Sequence, residues 1–191
     1  MKVLVIVDMQ KDFIDGALGT PEAQAIVPNV VNKMKEHKNT DTVILFTKDT
    51  HKPDYLATPE GQKLPVEHCI EGTEGWAIDR AIHNEFKTSG YATYSAGDII
   101  NGRITKLTFG SYDLIDALCD IDTKTKEGIT EIEFCGVCTD ICVVSNVLMT
   151  KAAFWNTPII VDASCCAGVT PEKHAAALEV MKSCQIDVIG E

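Results

Sequence analysis

A thiol, a carboxylate and an ammonium each stand at the end of an apolar, strand-like run in this chain. The thiol is Cys142, in the stretch Phe134-Cys135-Gly136-Val137-Cys138-Thr139-Asp140-Ile141-Cys142 that follows the run Ile129 to Cys135. Thr139 or Asp140 there has the side chain of a helix N-cap. With Thr139 as the cap, Cys142 falls in the first helical turn, where free amides and the helix dipole favour a thiolate. The carboxylate, Asp8, follows Val3 to Val7, and the ammonium, Lys106, ends a strand expected near Arg103 to Lys106. Together they make a coherent hydrolytic unit. Lys106 would favour the thiolate by charge, and Asp8 would accept the thiol proton and return it to a leaving amine. Taken singly, Cys142 reads equally as a small core residue, Asp8 as a strand-end cap and Lys106 as a surface lysine.

A second constellation is Asp49-Thr50-His51 with His68 from the following loop. Two imidazoles and a carboxylate suit zinc, iron, cobalt, nickel or manganese and leave positions open for water or substrate. Glu60 lies between them in sequence and is a candidate fourth ligand; Glu67 and Cys69 are also near. A competing metal reading is Cys135-x-x-Cys138-x-x-x-Cys142, with Cys165-Cys166, but Cys135 falls inside a strand and no second paired motif has finger-like spacing. His37, His83 and His174 fall in expected helices and read as surface or core residues.

These residues need elements to bring them together. Strands are expected at Lys2 to Val7, Thr42 to Thr47, Arg103 to Lys106, Ile129 to Cys135, Pro158 to Val161 and Ile186 to Ile189. Their β-branched runs suit burial on both faces. Between them, helical spacing is read around Ile26 to Met34 with Pro28 near the helix start, over Trp76 to Lys87 and Tyr112 to Asp120, and from about Asp140 to Phe154. A last helix opens with Thr170 as cap and Pro171 at its first position. Met9 to Pro21 reads as a loop. Lys52 to Gly75, rich in Pro and Gly, reads as a long functional loop carrying His68 and leading to Trp76. Alternating strands and helices of this kind predict a three-layer α/β/α sandwich with a mainly parallel sheet. In such sheets a site forms beyond the carboxyl ends of the strands, where the strand order reverses. Asp8, Asp49, Lys106 and the turn before Cys142 all occupy such ends.

At 191 residues the chain reads as one domain, residues 1–191, able to bury a core without staples. A formal net charge of −11 speaks against a nucleic-acid or anionic-membrane surface. The eight cysteines sit mostly in apolar runs, which fits reduced thiols better than a disulfide framework. The five apolar residues before Asp8 are too few for a signal-peptide core, and no run is long enough to span a membrane, so a cytoplasmic protein is expected.

Five pieces recur together in order: Val7-Asp8-Met9-Gln10-Lys11-Asp12-Phe13, Asp49-Thr50-His51, Leu64 to Gly75, Lys106 before Phe109-Gly110-Ser111-Tyr112, and Gly136 to Val143. In this arrangement the chain resembles the isochorismatase-like cysteine hydrolases, and within them the nicotinamidase (pyrazinamidase) branch. The resemblance implies a six-stranded parallel sheet of order 3-2-1-4-5-6, an Asp8–Lys106–Cys142 triad, and a cis peptide before Cys138. It implies an oxyanion hole formed by the Cys138 and Cys142 amides, and a divalent metal, zinc or iron first and manganese also, on Asp49, His51 and His68. The implied reaction is hydrolysis of nicotinamide to nicotinic acid and ammonia through a Cys142 thioester, in NAD salvage. Phe13, Leu64, Trp76 and Tyr112 would wall the aromatic amide, and a homo-oligomer is expected. The pattern departs at Ala57, where some members place a third His, and Glu60 is the candidate replacement. The Leu64 to His68 segment is also one residue longer than the common form. Two other readings remain at this point: a cysteine amidohydrolase acting on a carbamoyl or ureido compound, and a non-catalytic metal- or thiol-based sensor.

Overall fold

The computed structural model describes residues 1–191. Its centre is strand β1 (Lys2–Val7), whose residues Val3 to Val7 are all buried, flanked by β2 (Val43–Asp49) and β5 (Glu131–Val137). Beyond β5 lie β6 (Ile159–Ala167) and the short edge strand β7 (Asp187–Ile189). On the other edge, β2 pairs first with β3 (Ala92–Thr93) and then with β4 (Arg103–Lys106). All pairings are parallel. The sheet therefore has six positions in the expected order, with the third divided between two short strands. Residues 94–102 leave the sheet and return between them, which is why the sequence signals only the second piece.

Right-handed crossovers that run outward in both directions from β1 and β5 put helices on both faces. Helix α2 (Pro21–Glu36) packs with α4 (Arg80–Phe86), while α5 (Tyr112–Lys124), α6 (Val144–Ala153) and α7 (Pro171–Ser183) lie side by side. This is the expected three-layer sandwich. No helix is long and apolar enough to cross a membrane.

Several boundaries differ from those read in the sequence. Helix α2 starts at Pro21, capped by the Thr20 hydroxyl, and Pro28 lies in its interior. Burial of Ala23, Ile26, Val30 and Met34 on one face outweighs the lost hydrogen bond. The helix expected from Trp76 begins only at Arg80, because Asp79 accepts from the Ala81 and Ile82 amides and fixes the cap there. The loop from Met9 contains a short helix, α1 (Lys11–Ile14), and the long connection contains a 3₁₀ turn at Tyr55–Ala57 and helix α3 (Pro59–Lys63). Strand β6 continues past Asp162 to Ala167, and Asp49 itself lies within β2.

Candidate active site

The strand order reverses between β1 and β5, and the site lies beyond their carboxyl ends. Asp8 turns the chain out of β1 with a left-handed φ of 48°, a conformation that Asp tolerates better than most residues. Its amide donates to the Thr47 carbonyl, and its Oδ1 accepts from the Thr47 hydroxyl at 2.7 Å. Opposite, Lys106 is aligned with Asp49 across β4 and β2. From there its Nζ lies 2.6 Å from Asp8 Oδ2, 3.4 Å from Asp49 Oδ1 and 3.5 Å from Cys142 Sγ. One buried ammonium thus touches two carboxylates and the thiol.

The turn that carries Cys142 is positioned by β5. A Cβ on Gly136 would lie 2.1 Å from the Val7 carbonyl oxygen, and its φ is 122°, so only glycine lets β5 run this close to β1. The Val137–Cys138 peptide is cis. Thr139–Val143 then forms a π-helical turn that leads into α6, with Cys142 inside it. Neither expected residue caps this turn: Cys138 holds the cap position, Thr139 is wholly buried with its hydroxyl 2.8 Å from His174 Nδ1, and Asp140 accepts from the Val169 amide. Burial pushes the Cys142 thiol well above its usual range; Lys106 opposes the rise, and Asp8 and Asp49 add to it. Burial thus works against the thiolate that a position at a helix start alone would favour. Burial likewise raises the Asp8 carboxyl, with Lys106 opposing. Burial pushes the Cys138 thiol up to about 12. Cys135 is wholly buried in the core, and all eight cysteines are free thiols.

Beside this trio, Asp49, His51 and His68 bring one ligand atom each within 4.8 Å of one another, all on buried side chains. Asp49 Oδ2 lies 2.9 Å from His51 Nε2 and 3.4 Å from His68 Nε2. The His68 Nδ1–H donates to the Val66 carbonyl at 2.8 Å, which turns Nε2 toward Asp49. The buried His51 Nε2 has no aligned hydrogen-bond partner. A buried, orphaned imidazole nitrogen converging with a second imidazole and a carboxylate fits a divalent cation. Burial alone would raise the Asp49 carboxyl, but His51, His68 and Lys106 hold it well below the usual carboxylate range. Glu60 is less closely placed, with Oε1 3.8 Å from His51 Nε2 at the pocket's edge, outside the three-residue cluster. The alternative cysteine cluster does not form a ligand set.

A cavity of about 280 Å³ opens onto Cys142, Asp49 and His68, walled by Phe13, Leu18, Leu64, Phe109, Ile141 and Val169. Phe13 and Leu64 are thus where substrate contact was expected. Trp76 and Tyr112 are not: Trp76 turns away to donate from Nε1 to the Thr50 hydroxyl, and Tyr112, the first residue of α5, is 82 % exposed outside this cavity. Tyr55 was missed. Fully buried, it packs its ring against both His51 and His68 and donates to the Leu64 carbonyl. Phe109 and Ile141 lie within the recurring motifs, while Leu18 and Val169 carry no sequence signal beyond being apolar.

The isochorismatase domain profile matches residues 2–96 and 104–190, leaving out most of the excursion between β3 and β4. The chain belongs to the isochorismatase family. It is 28% identical to a nicotinamidase of Schizosaccharomyces pombe over 98% of this chain and 92% of that protein. It is 26% identical to a nicotinamidase/pyrazinamidase of Mycobacterium tuberculosis over 99% and 98%. Among solved structures, the zinc complex of Pyrococcus horikoshii pyrazinamidase superposes with a TM-score of 0.75 at 25% identity, covering 100% of this chain and 99% of that one. Family and relatives together support an amidohydrolase.

Proposed function

We propose that the protein hydrolyses nicotinamide to nicotinic acid and ammonia through a thioester on Cys142, a step that returns nicotinamide to NAD synthesis in the cytoplasm. The observation that carries the reading is the Lys106 ammonium, within 3.5 Å of the thiol, the Asp8 carboxylate and the Asp49 carboxylate at once. A cavity of about 280 Å³ with apolar walls suits a single-ring amide.

In this reading Cys142 Sγ attacks the carboxamide carbon as Asp8 takes the thiol proton. The oxyanion is received by the Cys138 and Cys142 amides, worth about 3–4 kcal/mol per donor. Asp8 returns the proton to nitrogen, the C–N bond breaks, and ammonia leaves behind a thioester. Water then attacks the thioester carbon with Asp8 as base, the C–S bond breaks, and the acid and thiol are regenerated. Lys106 steadies negative charge first on sulfur and then on Asp8. Asp49, His51 and His68 would hold a divalent ion, zinc or iron first, with Glu60 the nearest further carboxylate. When bound, such an ion supplies a Lewis-acid contact for the pyridine nitrogen or for water. Phe13 and Leu64 would hold the ring.

The test is ammonia release from nicotinamide by purified, metal-supplemented protein. Cys142→Ala is expected to abolish turnover and Asp8→Asn to lower kcat by about 10²–10⁴-fold. Mass spectrometry of rapidly quenched wild-type enzyme should find the nicotinoyl adduct on Cys142. Turnover of carbamoyl compounds but not nicotinamide would sink the substrate assignment.

A further inference from the structure

The six residues from Asp8 to Phe13 do more than supply a catalytic carboxylate and a pocket wall. Beyond Val7, β1 leaves the sheet, yet β2 continues to Asp49, so the Asp49 amide and carbonyl face an edge that has lost its partner strand. The Gln10 carboxamide fills that gap. Its Oε1 accepts from the Asp49 amide at 2.7 Å, and its Nε2 donates to the Asp49 carbonyl at 2.8 Å and to the Trp76 carbonyl at 3.0 Å. A wholly buried side chain thus adds a rung to the β1–β2 ladder at the residue that presents its carboxylate to His51 and His68.

Two residues on, Asp12 does the same for the other side of the ligand set. Its Oδ2 accepts at 2.8 Å from the amide of Cys69, the residue after His68, which sits at a left-handed φ of 47°. The Cys69 carbonyl in turn accepts from the His51 amide at 2.9 Å. Gly75 makes room for this carboxylate, since a Cβ there would lie 2.1 Å from Asp12 Oδ2. Neither Gln10 nor Asp12 belongs to the ligand cluster or lines the cavity.

We propose that Gln10 and Asp12 are positioning residues of the metal centre, fixing the backbones of Asp49 and His68 so that their ligand atoms converge before any ion arrives. The proposal rests on the metal reading given above. Removing partners that orient metal ligands typically costs 10–100-fold in affinity.

The experiment is a Co²⁺ titration of metal-free protein in competition with a chromogenic chelator, following the cobalt visible spectrum, alongside circular dichroism of each variant. Gln10→Glu keeps the acceptor and loses both donors; Asp12→Asn weakens the anchor at Cys69. Each is expected to stay folded and to bind Co²⁺ about 10–100-fold more weakly, with a shifted spectrum. His51→Ala, a ligand variant, is expected to lose binding altogether. If the wild type binds no Co²⁺, the metal reading itself fails. If the wild type binds and His51→Ala does not, but both positioning variants match the wild type, the proposal alone is overturned. Amide hydrogen exchange on the wild type decides the matter even where a variant fails to fold. The Asp49 and Cys69 amides are expected to be protected before metal is added. Fast exchange there in the folded, metal-free protein would overturn the proposal.

Discussion

Lys106 balances two carboxylates and a thiol inside the protein, and losing it has consequences that losing the thiol does not. Its ammonium is raised above the usual lysine range, because Asp8, Cys142 and Asp49 together outweigh the burial that would lower it. Removing one partner of a buried charged set leaves the others unpaired, at about 3–5 kcal/mol. For the metal-free protein, Lys106→Met is expected to lower the thermal midpoint by roughly 10 °C, taking 2–4 °C per kcal/mol at this chain length. Cys142→Ala removes no charge and should change stability by only about 1 kcal/mol. Scanning calorimetry of the two variants separates these effects. Equal midpoints would show that the Lys106 ammonium is not what stabilises the buried Asp8 and Asp49 side chains. The four strand-end residues were legible in the sequence because apolar runs announce their strands, and a parallel sheet gathers the strands' carboxyl ends. Gln10, Asp12 and Tyr55 were not, since their roles lie in contacts to residues 39, 57 and 13 positions away, as for Asp49, Cys69 and His68.

At the scale of elements, apolar periodicity located strands and helices well, while side-chain chemistry fixed their ends. Thr170 and Pro171 start α7, and Ser111 caps α5, as their residue types foretell. Thr139 carries the same cap chemistry, but it is buried with its hydroxyl 2.8 Å from His174 Nδ1 and does not cap the turn, which is π-helical. Tyr112 and Trp76 show the complementary limit, since an aromatic residue near a site motif does not reveal which way it turns. The element contact that matters most is β5 against β1 at Gly136. Gly136→Ala would place a methyl 2.1 Å from the Val7 carbonyl oxygen at a φ of 122°, forcing the two central strands apart just before the Cys142 turn. It is expected to cost at least about 3 kcal/mol, at the severe end for single substitutions. Gly72 has a similar positive φ of 82° but open space around it, so Gly72→Ala should cost only about 1 kcal/mol of backbone strain. Urea denaturation midpoints test the pair. Similar losses at both positions would mean that strand spacing is not what Gly136 protects.

At the scale of the whole molecule, a chain of net charge −11 buries two carboxylates between a helix and the sheet. Glu133 on β5 and Asp162 on β6 point to the same face, because Glu133 pairs with Ile160 and Asp162 is two residues further on. Lys33 of α2 reaches down to both, at 2.9 Å each, and His37 lies 3.5 Å from Glu133. Burial alone would raise these carboxyls. His37 and Lys33 at Glu133, and Ser164 and Lys33 at Asp162, outweigh it and hold both below the usual carboxylate values of about 4. A carboxyl depressed in the folded state contributes stability that is fully present above its unfolded value and lost as pH falls through the folded one. The wild type should therefore keep this contribution above about pH 5 and lose it progressively below about pH 4. Lys33→Met leaves Asp162 without its cation and Glu133 with only His37 beside it, and is expected to cost about 3–5 kcal/mol near neutrality. The same substitution should cost much less in acid, where the carboxyls are protonated and there is no charge left to pair. Denaturant unfolding of wild type and Lys33→Met from pH 3 to pH 7 measures the difference directly. A gap between the two that stays constant over that range would assign the stability of the α2–sheet contact to packing alone.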